Sequence, residues 1–308
     1  MHPILQTIQQ NVRQVIIGKD DIVERMMIAL LSEGHVLLED VPGVGKTVLV
    51  RSVAESIGAT FHRIQFTPDL LPTDIIGVSI FNEQTRQFEF KKGPIHGSIV
   101  VADELNRASP KTQSALLESM EERAVTVDGV RHTLPDPFFV MATQNPSTHF
   151  GTYPLPEAQL DRFLFRLTMG YPTEEEEVRL LQRHVTQCLE PVTTLQHIRT
   201  MREEARDTYV SEHVQRYIVS LVRATREHEA VEVGVSPRGT VALQNSAKAY
   251  AYLQNRSYVL PDDVQSLFSD VVSHRIQLTY DYEQEVSSTE RVVEEVLRRV
   301  EVPVGDFR

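Results

Sequence analysis

One segment, residues 35–54, constrains the fold of this 308-residue chain more than any other. A short apolar run leads into Asp40-Val41-Pro42-Gly43-Val44-Gly45-Lys46-Thr47, and the apolar spacing that follows is typical of a helix. A strand, a glycine turn and a helix in this order bind phosphate, because backbone N–H groups converge there and the helix N-terminus is partly positive. Lys46 would then contact the β- and γ-phosphates of a nucleotide, and the Thr47 hydroxyl would be a ligand of Mg²⁺. The predicted nucleotide-binding residues are Pro42, Gly43, Val44, Gly45, Lys46, Thr47 and Val48.

This phosphate-loop pattern is imperfect, because its general form has glycine where this chain has Asp40. Without that glycine the signal shrinks to Gly-Lys-Thr, a tripeptide that ordinary residue usage produces by chance. A glycine turn with a solvated Lys46 therefore stays an alternative on the loop alone. The other motifs of the chain have to decide between the two interpretations.

A second strand-like run, residues 99–102, ends in the acidic pair Asp103-Glu104. Burying an unpaired carboxylate costs several kcal/mol, so an acidic pair at the end of a buried strand is an unusual structural choice. Beside a metal–phosphate complex it is explained, because Asp103 would orient the Mg²⁺ shell and Glu104 would polarise the attacking water. The alternative is that Asp103 caps the next helix.

Asn145 follows a third strand-like run, residues 138–143. The carboxyl ends of parallel strands meet at one edge of a sheet, so this neutral amide would lie near the acidic pair. It could hold the attacking water or the γ-phosphate without adding negative charge. The alternative is an ordinary turn residue before Pro146.

Arg162 lies just before another strand-like run, residues 163–169. One hypothesis is an arginine finger that reaches the ATP of a neighbouring subunit, a device worth roughly 10³–10⁵ in rate. The alternative is a surface ion pair with Asp161 or Glu157, which contributes little to stability.

Arg238 stands in the first turn of a predicted helix that Ser236 caps and Pro237 begins. A cation at this position opposes the helix dipole. Contact with a phosphate would explain it, and a lid carrying such an arginine would rotate when the phosphate leaves. The alternative is a salt-bridged surface arginine.

Four segments together resemble the MoxR family of AAA+ ATPases, and the resemblance runs over nearly the whole chain. Asp40 is a familiar variation in that family. The segments occur in the family's order and are Glu39 to Thr47, Ala102 to Ala108, Ala142 to Pro146 and Leu155 to Phe163.

The resemblance implies an α/β fold, the parallel sheet of a P-loop NTPase with helices on both faces, followed by a small all-α lid. It implies a Mg²⁺-dependent ATPase that hydrolyses ATP to ADP and phosphate and remodels or matures partner proteins. It further implies a homo-oligomer, expected to be a hexameric ring, and a client that bears a von Willebrand factor A domain.

The resemblance also implies roles for individual residues. Asn145 would be sensor 1, Arg162 the arginine finger and Arg238 sensor 2, with Glu104 completing the catalytic set. Arg107 is a second candidate for a contact across the subunit boundary. By position, Ile17 and Gly18 would contact the adenine, while Thr47 and Asp103 would hold the metal.

Two hairpins are predicted within the first half of the chain. Residues 80–90 alternate apolar and polar side chains about a polar turn. The second hairpin joins residues 124–127 to residues 130–134 through Asp128-Gly129. In the family such hairpins face neighbouring subunits or the working surface of the ring.

A domain boundary is expected near Tyr171-Pro172, which gives an ATP-binding core over residues 1–172 and a helical lid over residues 173–308. Strand and helix patterns alternate before the boundary, and strand patterns are sparse after it. Thr173 with Glu176 and Ser287 with Glu290 form capping boxes. Further helices are predicted over residues 211–226, 237–254, 261–274 and 289–300.

Composition restricts location and partners. The hydrophobic fraction is 41% and the charged fraction 24%, which is ordinary for a globular protein. No apolar run approaches the length of a membrane span, and residues 1–15 have the pattern of an amphipathic helix rather than a secretion signal. The single cysteine, Cys188, excludes an internal disulfide. A cytoplasmic protein is expected.

Charge argues against nucleic acid as a partner. The net charge is −12, and Lys and Arg number 15 against 20 Asp and Glu in residues 1–172 and 16 against 23 in residues 173–308. DNA or RNA binding usually needs a basic face. A nucleic-acid-associated motor related to helicases is nevertheless the main alternative. A signalling GTPase and a non-catalytic scaffold are weaker alternatives, because a guanine-binding Asn-Lys-x-Asp segment is missing and Glu104 is present.

Overall fold

Five parallel strands form the central sheet of the protein in a computed structural model that describes residues 1–41, 43–144, 152–182, 189–280, 282, 289–305 and 307. The strands of the described residues are β1 (Val36–Glu39), β2 (Phe61–Gln65), β3 (Gly77–Asn82), β4 (Gln87–Lys92), β5 (Ile99–Asp103), β6 (Ala124–Val127), β7 (Val130–Thr133), β8 (Phe139–Gln144), β9 (Phe165–Leu167), β10 (Val231–Val233) and β11 (Gln277–Leu278). The sheet has the order β2-β5-β8-β1-β9. Strands β3 and β4 form one antiparallel hairpin, and β6 and β7 form another, as predicted.

Helices follow or precede most of these strands. In the described residues they are α1 (Pro3–Val12), α2 (Asp20–Leu31), α3 (Lys46–Ser56), α4 (Pro72–Ile76), α5 (Pro110–Glu122), α6 (Glu157–Leu160), α7 (Glu174–Leu181), α8 (Leu195–Arg206), α9 (Glu212–Arg226), α10 (Pro237–Leu253), α11 (Pro261–Val272) and α12 (Thr289–Arg299). Single 3₁₀ turns occupy Pro94–His96, Leu105–Arg107 and Ser273–Arg275. None of the helices that the structure describes has the length and apolar character that crossing a membrane requires.

Alternate side chains of the central strands enter two separate hydrophobic clusters. Val36 and Leu38 of β1 belong to the cluster that includes α1, α2 and α3, whereas Leu37 packs on the other face against α5. The same alternation holds along β5 and β8. A strand whose neighbouring side chains are all buried must be covered on both faces, which explains its nearly continuous apolar sequence. The predicted fold class is confirmed.

Strand register brings polar strand ends to one edge of the sheet. Glu39 of β1 lies opposite Gln144 of β8, and Gln65 of β2 lies opposite Asp103 of β5. These residues are the last of their strands. Because the strands are parallel, their last side chains lie together at the carboxyl edge, where open α/β sheets bind ligands.

Among the described residues after 172, the strands are β10 and β11, which form a short antiparallel ladder that was not predicted from the sequence. Helix α8 was also missed, whereas α9, α10, α11 and α12 lie close to their predicted bounds. The cluster on the α1 side of the sheet continues without interruption into α8 to α12. The boundary near residue 172 stays a prediction. Ser287 and Cys188 lie outside the described residues.

His35 joins three elements at the amino end of the central strands, opposite the carboxyl edge. Its ring is buried, and Nδ1 accepts a hydrogen bond from the Val140 amide of β8 at 3.0 Å. The proton is therefore on Nε2, which donates to the carbonyl oxygen of Met120 in α5 at 3.2 Å. Burial lowers the pKa of His35 to about 4, with the Met120 carbonyl opposing this effect and Arg123 adding to it.

We expect the free energy of unfolding to fall as pH decreases from about 6.5 towards about 4. In this range His35 is protonated in the unfolded chain and neutral in the folded protein, so a lower pH favours unfolding. The contribution of His35 to the free energy of unfolding is fully present above the pKa of histidine in the unfolded chain. Between pH 7 and pH 4.5 the loss should be about 2 kcal/mol. Urea unfolding at the two pH values measures it, and His35→Gln should lack that part of the pH dependence, whereas His213→Gln, an exposed control on α9, should retain it. An identical dependence in His35→Gln and the wild type would contradict the assignment.

Candidate nucleotide-binding site

The segment between β1 and α3 forms a cleft of about 390 Å³ at the carboxyl edge of the sheet. Gly43 and Gly45 both have φ of +89°, a backbone conformation that L side chains rarely adopt. Gly45 is the N-cap of α3, so the free N–H groups of the first helical turn begin at Lys46. Of the residues predicted to bind the nucleotide, those that line the cleft are Gly43, Gly45, Lys46, Thr47 and Val48.

Asp40 explains why glycine is absent from the first position of the loop. One carboxylate oxygen accepts hydrogen bonds from the backbone N–H groups of Met169 and Gly170, at 2.8 and 2.7 Å. The other accepts from the Val41 N–H at 2.8 Å. Asp40 is buried, and three charge-assisted hydrogen bonds compensate the burial of its carboxylate. This side chain therefore ties the phosphate loop to the segment that follows β9.

Lys46 lies within the cleft and donates a hydrogen bond from Nζ to the carbonyl oxygen of Asp40 at 2.9 Å. Partial burial lowers the pKa of Lys46, and the negative charges of Asp40, Asp103 and Glu104 oppose that shift. An ammonium group surrounded by three carboxylates is suited to bind a polyphosphate, which would replace the carbonyl as its partner.

The acidic pair also lies in the cleft, next to a hydroxyl that sequence reasoning missed. Thr143 of β8 donates from Oγ1 to Asp103 at 2.7 Å and accepts from the Glu104 N–H at 2.9 Å. Glu104 has φ of +58°, so its backbone is in the left-handed region at a cost of roughly 1–2 kcal/mol. Thr143 thus fixes a strained turn that directs the two carboxylates into the cleft.

Three polar side chains bind the two carboxylates. Two of them lie on the edge strand β2, and the third lies in the 3₁₀ turn after β5. Arg63 of β2 donates to Asp103 from Nη2 at 2.6 Å, and Gln65 donates to Glu104 at 2.8 Å. Arg107 pairs with the same oxygen of Glu104 at 3.0 Å. The structure therefore places Arg107 beside its own acidic pair. Arg63 and Gln65 were missed, because the sequence does not show that β2 lies next to β5.

A divalent cation would find suitable ligands in this cleft. The described residues contain no group of three or more His, Cys, Asp and Glu side chains that could hold a metal unaided. Mg²⁺ prefers a few oxygen ligands from protein together with phosphate oxygens and water. The Thr47 hydroxyl and the Asp103 carboxylate line the cleft and fit that requirement.

The two predicted arginines lie together and away from this cleft. Arg162 is 3.1 Å from Glu121, near the end of α5, and Arg238 is 3.2 Å from the other oxygen of the same carboxylate. Neither arginine is among the described residues that line the cleft. Glu121 was not singled out from the sequence, because its partners come from distant parts of the chain.

The segment that carries Arg162 is attached to the lid by buried groups. Arg275 donates to the Asp161 carboxylate at 2.7 Å, and Ser236, the N-cap of α10, contacts the other oxygen of Asp161 at 3.2 Å. His274 Nε2 lies 2.9 Å from the carbonyl oxygen of Phe163. The predicted cap at Ser236 is present, and it links Arg238 to the residue that precedes Arg162.

The remaining predicted residues divide into two groups. Pro42 and Asn145 lie outside the described residues. Among the described residues, those that line the cleft do not include Val44, Ile17 or Gly18. Ile16 lies beside the glycine turn, because its Cδ1 is 3.8 Å from where a Cβ on Gly45 would stand.

Asp40→Gly restores the general loop pattern, and we expect it to weaken both stability and nucleotide binding. Three hydrogen bonds to a buried carboxylate are lost, at a cost of about 2–3 kcal/mol. Thermal unfolding and titration with a fluorescent ATP analogue measure the two effects. Asp69→Gly, in an exposed turn, is the control. Equal or tighter nucleotide binding by Asp40→Gly would contradict this role.

Comparisons with known proteins identify the family. Residues 35–165 match the model of the ATPase family associated with various cellular activities (AAA), and residues 223–296 match the AAA lid domain. The chain is 53% identical to an uncharacterized protein, YeaC, of Bacillus subtilis over 99% of this chain and 96% of that protein. It is 45% identical to Chaperone MoxR1 of Mycobacterium tuberculosis over 95% of this chain and 81% of that protein.

A crystal structure of a protein from Cytophaga hutchinsonii is similar along its whole length. It superposes with a TM-score of 0.92 at 38% sequence identity and covers 98% of this chain and 95% of that one. The similarity includes the helices after residue 172 as well as the sheet. With its phosphate loop, its acidic pair and its matching lid, the chain belongs to the MoxR family of AAA+ ATPases.

Proposed function

We propose that the protein hydrolyses ATP to ADP and phosphate as a homo-oligomer and uses the cycle to remodel or mature partner proteins. The observation that carries the proposal is the division of the catalytic groups. The phosphate loop and the acidic pair share one cleft, whereas Arg162 and Arg238 lie outside it. One chain therefore holds the two halves of a site in different places.

Within the cleft each side chain has a distinct role. The first turn of α3 and Lys46 bind the phosphates, and Glu104 orients water for in-line attack on the γ-phosphate. Gln65 and Arg107 hold Glu104 through one oxygen, which restricts its direction. Mg²⁺, when held by Thr47 and Asp103, supplies positive charge next to the phosphates.

The missing cation on the γ-phosphate would come from a neighbouring subunit. Arg162, the proposed finger, is partly exposed and is carried by a segment that the lid holds in place. A head-to-tail contact between copies would bring that segment to the next cleft, and repetition of such a contact closes a ring. We propose a hexamer, the arrangement expected from the family.

A protein client is favoured over nucleic acid. A relative at 45% identity is named a chaperone. Both halves of the chain are acidic, and the net charge is −12, which disfavours a polyanion as the partner. The client is proposed to be a protein with a von Willebrand factor A domain, and the location to be the cytoplasm.

Glu104→Gln should bind ATP with nearly wild-type affinity and hydrolyse it at least about 100-fold more slowly, because the amide cannot accept a proton from water. Phosphate release and ATP titration measure the two quantities. Glu118→Gln, on the exposed face of α5, is the control and should be fully active. Turnover by Glu104→Gln within a factor of two of the wild type would exclude this role.

Arg162→Ala and Lys46→Ala should each lack hydrolysis alone and regain part of it when mixed. The first supplies an intact cleft and the second an intact arginine, so productive contacts form only between unlike subunits. If contacts assort at random and act independently, a 1:1 mixture should reach about a quarter of the wild-type rate. Continued inactivity of the mixture, or full activity of monomeric Arg162→Ala, would refute action between subunits.

A further inference from the structure

Glu121 makes an unusual contact for a side chain on a helix surface. Its two carboxylate oxygens pair with two different guanidinium groups, Arg162 Nη1 at 3.1 Å and Arg238 Nη2 at 3.2 Å. The arginines come from separate regions, one before β9 and the other in the first turn of α10. One carboxylate therefore joins α5, the finger segment and the lid.

Two guanidinium groups on one carboxylate are close enough to repel each other. The negative charge of Glu121 between them offsets that repulsion. Stabilisation of the surface does not explain this pairing, because exposed ion pairs contribute little to stability.

Both arginines keep donors for another ligand. Each guanidinium has five N–H groups in a planar fork, and a single terminal nitrogen of each makes the closest contact with Glu121. The side chains of Arg162 and Arg238 are 29% and 47% exposed. Two partly exposed guanidinium groups on one carboxylate together offer enough donors for the several oxygens of a terminal phosphate.

We propose that Glu121 is a positioning residue that holds Arg162 and Arg238 side by side, so that both arginines enter the ATP site of the neighbouring subunit together. The inference rests on the proposed function, because it needs Arg162 to act between subunits. Arg238 then acts together with Arg162 on the γ-phosphate bound by the neighbouring subunit. The cleft of the subunit that carries them receives Arg162 and Arg238 from another copy.

Glu121→Gln keeps the length of the side chain and removes its charge, so the two guanidinium groups should separate. We expect kcat to fall about tenfold while the KM for ATP changes less than twofold, since each cleft still binds its own nucleotide. Glu122→Gln is the matched control, because Glu122 stands at the same helix end and pairs instead with Arg131 at 3.5 Å. This control should hydrolyse ATP at the wild-type rate. Thermal unfolding should be the same for both variants.

The test is complementation between subunits of the full-length protein. Glu121→Gln mixed with Lys46→Ala should regain activity, because the Lys46→Ala subunit supplies a correctly held arginine pair to the intact cleft of its neighbour. Arg162→Ala mixed with Lys46→Ala is run in parallel. ATP hydrolysis is measured for each mixture and for each variant alone.

The outcomes separate the two proposals. Recovery in both mixtures supports the positioning role of Glu121. Recovery with Arg162→Ala but not with Glu121→Gln would overturn that role and leave the proposed function standing, since Glu121 would then act on its own cleft. Recovery in neither mixture would overturn both proposals. Full activity of Glu121→Gln alone would overturn the positioning role directly.

Discussion

The buried guanidinium of Arg275 is the interaction on which the arrangement of sheet, lid and finger segment depends. Its side chain is 3% exposed, and it donates to the Asp161 carboxylate at 2.7 Å and to the Leu164 carbonyl oxygen at 3.1 Å. It also contacts the carbonyl oxygen of Phe163. A buried cation deprived of its partners costs several kcal/mol, so the end of α11 and residues 161–164 are held to each other as a unit.

This attachment connects the lid directly to the two arginines that we propose to act in catalysis. Asp161, which Arg275 binds, also accepts a hydrogen bond from Ser236, and Ser236 caps the helix that begins with Pro237 and Arg238. Arg162 directly follows Asp161 in the chain. A rotation of the lid would therefore move both arginines through the same connection. In the proposed mechanism, a phosphate lost from a neighbouring cleft releases the two arginines together, which links hydrolysis in one subunit to the position of the lid in the next.

The site residues that belong to local sequence motifs could be located from the sequence, whereas residues whose role depends on contacts between distant segments were missed. The glycine turn, Lys46 and the acidic pair Asp103-Glu104 follow from strand ends and helix starts, and the structure places them in one cleft. Thr143 and Gln65 were missed because their role depends on strand order β2-β5-β8, which a single sequence does not reveal. A hydroxyl or amide acquires such a role only when the register sets it beside a carboxylate.

Asp40 shows how a departure from a general motif can carry a function of its own. Glycine at this position would lack the carboxylate that bonds the phosphate loop to the segment after β9. The carboxylate adds a second attachment, to the backbone of Met169 and Gly170 just ahead of α7. Lys46 donates to the carbonyl of this same residue, so a nucleotide that draws Lys46 away alters a group already bonded to the segment leading into the lid. In the proposed mechanism, nucleotide in the cleft therefore acts on the lid through Asp40 as well as through the arginines of the neighbouring subunit.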